Sequence, residues 1–135
     1  MTDRLFDTYP THLANAKLTP AQFAIRVVDL MQTAYGGLPG LLDRFRDNGF
    51  DDAVRSWVSL GANFILTPQD IERVLGPAQI ETLARDANLG VRETATEVAV
   101  LLPQLVDKVT PQGHVPDEKT LAGYFDQLRS KIGML

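Results

Sequence analysis

The sequence predicts an all-α fold of six or seven short helices. Apolar residues recur at helical spacing in successive blocks, and each block is bounded by recognisable start and stop residues. No stretch alternates strictly, or holds a β-branched run long enough, to read as a strand. With 135 residues, 44% hydrophobic and 22% charged, the chain reads as one soluble globular domain able to bury a core.

Residues 1–18 carry Leu5, Phe6, Tyr9 and Leu13, but Pro10 interrupts any helix they could form, so an N-terminal arm or cover is expected. A strong start signal follows. Thr19 is placed to cap, Pro20 to fill the first helical position, and Gln22 to complete a capping box, with Leu18 and Phe23 as its hydrophobic staple. The helix from about Pro20 to Tyr35 is apolar at Phe23, Val27, Leu30, Met31 and Tyr35, and Ile25 and Val28 widen the stripe toward a second neighbour. Gly36-Gly37 should stop it.

The centre of the chain is organised around its single tryptophan. Leu38, Leu41, Leu42 and Phe45 form one apolar face, Pro39 suits the first turn, and Asn48-Gly49 ends the helix. Phe50, Ala53, Val54, Trp57 and Val58 then follow i, i+3, i+4, i+7, i+8, with Asp51 and Asp52 at the positive end of the helix dipole. Trp57, Phe45 and Phe50 are the expected core anchors. Burying an indole removes more apolar area than any other side chain, provided its N–H finds an acceptor.

Residues 62–66, Ala-Asn-Phe-Ile-Leu, make an apolar loop, an unusual composition for a segment that runs over the surface. Thr67, Pro68 and Asp70 repeat the capping device, with Leu66 and Ile71 as staple. Ile71, Val74 and Leu75 face inward before Gly76. The helix after Pro77 buries Ile80, Leu83, Ala84 and Ala87, and Asn88 to Gly90 end it. From Val91 an apolar pattern runs to Val109 with Pro103 inside it, which predicts a kink or break near residues 99–103. Residues 110–116 read as a loop. A C-terminal helix, 117–133, presents Leu121, Tyr124, Phe125, Leu128 and Ile132 on one stripe.

The run Gly36-Gly-Leu-Pro-Gly-Leu-Leu-Asp-Arg-Phe45, then Ser56-Trp57, Gly61-Ala-Asn63, Val74-Leu-Gly76 and Leu102-Pro-Gln-Leu-Val-Asp107, resembles the YidB-like family of small bacterial proteins. The resemblance covers roughly residues 36–116. It implies a compact helical domain with a homeodomain-like arrangement of helices, and it brings no established activity, cofactor or catalytic residue. The sequence departs from the family pattern at Ile65, where a proline is expected, and the stretch before Gly36 lies outside the resemblance.

The residues themselves point away from chemistry. There is no cysteine, so disulfides, thiolate nucleophiles and cysteine metal sites are excluded. Asp43, Asp47, Asp51 and Asp52 cluster in sequence but lack metal-loop spacing and alternate with Arg44 and Arg46, which reads as a solvated mixed-charge face. His12 and His114 stand far apart without ligand-like neighbours. Ser56 lacks a nucleophile elbow, and Gly36-Gly37 lacks the Lys and Ser/Thr of a phosphate loop. No catalytic, cofactor-binding or metal residue is assigned.

A net charge of −4 and a pI near 5.0 work against nucleic-acid and anionic-membrane binding. Helices at about 68–75, 77–87 and 91–102 could pass for a helix-turn-helix, but the first turns of the third offer Arg92 together with Glu93 and Glu97. The leading expectation is a cytoplasmic, non-enzymatic helical module for protein–protein interaction or self-association, without cofactor or membrane contact. Phe64, Ile65, Tyr124 and Phe125 are its candidate interaction surface. A nucleic-acid-binding regulator is the alternative.

Overall fold

Helix α6 (Val91–Val109) is the axis on which the remaining elements pack. In a computed structural model, which describes residues 17–59 and 63–134, it is accompanied by α1 (Pro20–Thr33), α2 (Leu38–Asp47), α3 (Asp51–Val58), α4 (Pro68–Leu75), α5 (Pro77–Ala87) and α7 (Glu118–Gly133). No strand occurs among the described residues. α6 lies against α1, α3, α4, α5 and α7, and α2 joins the assembly through α1, α3 and α4. The fold is all-α.

The start signals act as the sequence predicts. Thr19 Oγ1 accepts the Gln22 N–H at 3.1 Å while Gln22 Oε1 accepts the Thr19 N–H at 3.0 Å. Thr67 Oγ1 accepts the Asp70 N–H at 3.1 Å, and an Asp70 carboxylate oxygen accepts the Thr67 N–H at 3.4 Å. Both boxes satisfy amide groups that a helix start leaves unpaired. Leu66 and Ile71 are buried beside the second box, and Phe23 is buried beside the first, with Leu18 half-buried. Most of the N-terminal arm expected over 1–18 lies outside the described residues; Lys17 donates its N–H to the Ala87 carbonyl at 2.8 Å.

α1 stops at Thr33, two residues earlier than its apolar pattern suggests. Tyr35 adopts φ 58° within the 3-10 turn Ala34–Gly36. The reason is the close return of α2: a Cβ on Gly40 would lie 1.7 Å from the Tyr35 carbonyl oxygen. The turn sends the Tyr35 hydroxyl to the Leu75 carbonyl, and Arg44 donates its Nε–H to the Val74 carbonyl. The Arg44 guanidinium also sits 4.6 Å from the Tyr35 ring centre. A cation therefore meets the negative end of α4, and Arg44 and Tyr35 each supply a donor to one of its last two carbonyls. Burial raises the Tyr35 hydroxyl pKa above its ordinary value, opposed in part by Arg44.

The core gathers residues from every helix, with Trp57 and Phe45 fully buried at its centre. Their rings meet edge to face, centroids 5.1 Å apart and planes at 80°, an arrangement favoured by the aromatic quadrupole. Phe50 is not a third central anchor. It precedes α3 as the N-cap residue, with non-helical φ −108° and ψ 33°, and its half-buried ring lies under Arg73 at 5.2 Å.

Pro103 does not break α6, which runs 19 residues without interruption. The proline leaves the Ala99 carbonyl without its intrahelical donor. The neighbouring Val100 carbonyl receives the Gln104 side-chain amide at 3.1 Å. Pro103 itself is buried, and tertiary packing of α6 supports a helix that would be marginal in isolation. On α7, Leu121, Phe125, Leu128 and Ile132 face inward and Arg129 bridges to α1 through Gln32 at 3.0 Å and Asp29 at 2.6 Å.

Candidate interaction surface

The loop between α3 and α4 is held by two consecutive side chains of α3. Ser56 Oγ donates to the Ala53 carbonyl at 2.7 Å and accepts the Phe64 N–H at 2.8 Å. Trp57 donates its Nε1–H to the Phe64 carbonyl at 2.6 Å. Both backbone polar groups of Phe64 are thus turned toward the protein. Leu66 is buried as the staple of α4, while Phe64 and Ile65 keep 55% and 71% of their surface accessible. These are large apolar side chains exposed on a backbone held by two hydrogen bonds. Ala62, the first residue of the expected apolar loop, lies outside the described residues.

The other two expected surface residues divide differently. Phe125 is 2% exposed and completes the core between α7 and its neighbours, so it offers nothing to a partner. Tyr124 is half-buried against the same core. The helical stripe of α7 packs on α1 and α6, which buries Phe125 and leaves Tyr124 partly accessible.

The acidic residues between α2 and α3 are interleaved with arginines. Arg46 pairs with Asp43 at 2.8 Å and with Asp51 at 3.5 Å, and Arg55 pairs with Asp51 at 2.7 Å and with Asp52 at 3.3 Å. Asp47 is exposed. Such exposed pairs add little to stability. Among the described residues, no three His, Asp or Glu side chains converge as a cation site would require. His114 is exposed in the loop before α7, and His12 lies outside the described residues.

Several clefts interrupt the surface, including one of about 200 Å³ between α1 and α5 where Asp29 pairs with Arg129 and Asp86 with Arg26; two others are larger. One, of about 380 Å³, lies between the 36–39 turn and the first half of α7. The other, of about 320 Å³, is an apolar groove between the start of α1 and the end of α7, walled by Leu18, Ala21, Ile25 and Ile132. Neither contains Ser56, a histidine or a pair of carboxylates.

Glu97 is the residue whose setting the sequence reading missed. The sequence groups it with Arg92 and Glu93 in the first turns of α6, yet it is only 2% exposed. Burial in a poorly solvating site pushes its carboxyl up to about 7. Its neighbours in the pattern, Thr94 three residues earlier and Leu101 four later, are both buried, which was the available signal. At the same end of α6, Arg92 pairs with Glu72 at 3.5 Å and Glu93 accepts the Gly90 N–H at 3.2 Å.

Among the described residues the fold is all-helical, with Phe64 and Ile65 exposed between α3 and α4. Residues 18–118 match the model of a family described as YidB-like protein, and the chain belongs to that family. The match takes in the whole of α1, so the likeness begins well before Gly36, where the motifs alone had placed it. No curated protein and no solved structure matches the chain. Among the described residues, no helix is long and apolar enough to cross a membrane.

Proposed function

We propose that the chain is a non-enzymatic helical module that docks a protein partner, or a second copy of itself, on the Phe64–Ile65 loop. The observation that carries this reading is the opposition within one residue pair: the Phe64 backbone is bonded inward to Ser56 and Trp57 while the Phe64 and Ile65 side chains face solvent. Exposed aromatic and aliphatic anchors on a fixed backbone are what a contact hot spot requires. The cysteine-free composition accords with a cytoplasmic setting.

Light scattering over a concentration series, paired with capture from extracts of the native cell, tests the proposal. The native chain should either gain mass with concentration or retain specific proteins, and the Phe64→Ser/Ile65→Ser variant should do neither while staying folded. A monomer that retains the same proteins as the double variant would refute it. The nucleic-acid alternative, which would use α4, α5 and α6 as a helix-turn-helix, draws less support, because Arg92 is already paired with Glu72 and flanked by Glu93.

A further inference from the structure

We draw no further inference here: the strongest candidate, the cleft of about 380 Å³ between the 36–39 turn and α7, sets Gln32 and Glu118 beside the uncapped start of α2, and no second observation in the structure marks it as a binding site.

Discussion

The indole N–H of Trp57 and the carbonyl of Phe64 are joined at 2.6 Å, so the residue at the centre of the core also holds the segment that exposes Phe64 and Ile65. This bond ties fold to surface. Trp57→Phe keeps an aromatic ring but leaves that carbonyl without its donor and a gap where the larger ring system stood. The expected loss is about 2–4 kcal/mol of unfolding free energy, read from urea denaturation. Ser56→Ala should cost less, about 1 kcal/mol, because the hydroxyl bonds only the Phe64 N–H and the Ala53 carbonyl and the loop lies near water.

Two glycines in helices should respond with opposite signs. Gly40→Ala would place a methyl group against the Tyr35 carbonyl, where an added Cβ comes within 1.7 Å of backbone oxygen. The turn would have to open, at a cost of about 3 kcal/mol or more by thermal or urea unfolding. Gly123 in α7 is exposed and has nothing within 4 Å of an added Cβ. There Gly123→Ala should stabilise by about 0.5–1 kcal/mol through helix propensity and a less flexible unfolded chain.

The capping boxes can be weighed against each other. Thr19→Ala and Thr67→Ala each remove one acceptor from a helix start and should each cost about 1 kcal/mol. The effects should be additive within a few tenths of a kcal/mol, since the two helices share no capping partner. Chemical denaturation of both single variants and the double variant checks this.

Glu97 sets a pH dependence of known sign. Its folded carboxyl titrates near 7 against an ordinary value of 4.5, so between those values the folded state holds a proton that the unfolded chain has released. Stability from this group therefore falls as pH rises from 4.5 through 7 and is highest below 4.5. At about 1.4 kcal/mol for each pH unit separating the two values, the penalty reaches about 3 kcal/mol in alkaline solution. Glu97→Gln should flatten the profile and be more stable than the native chain at pH 8. Asp117 works in the opposite direction, because the Thr120 N–H it caps lowers its pKa, so its contribution is lost on acidification.

Much of this architecture was legible because local chemistry and global packing agree. Thr19-Pro20 and Thr67-Pro68 announce helix starts through interactions complete within four residues, and the Trp57 stripe is a property of one helix. The misread residues depend on distant partners. Tyr35 continues an apolar period, yet its backbone is set by the return of Gly40. Phe50 matches the period of α3 but precedes its first turn, so it sits at the rim. Pro103 carries a local helix-breaking signal, yet it is buried and the helix continues through it. Glu97 looks like surface charge until its position between Thr94 and Leu101 is placed against the neighbouring helices. At the candidate surface, the exposed loop was visible as an apolar segment, but the two bonds that hold it were not, because no spacing rule joins Ser56 and Trp57 to Phe64.

Amide hydrogen exchange at Phe64 tests the account most directly. If α3 side chains hold this loop in place, the Phe64 amide is protected in the native chain, and Ser56→Ala raises its exchange rate while leaving the amides of α3 and α4 protected. An unprotected Phe64 amide in the native chain, or one indifferent to the loss of the Ser56 hydroxyl, would contradict it.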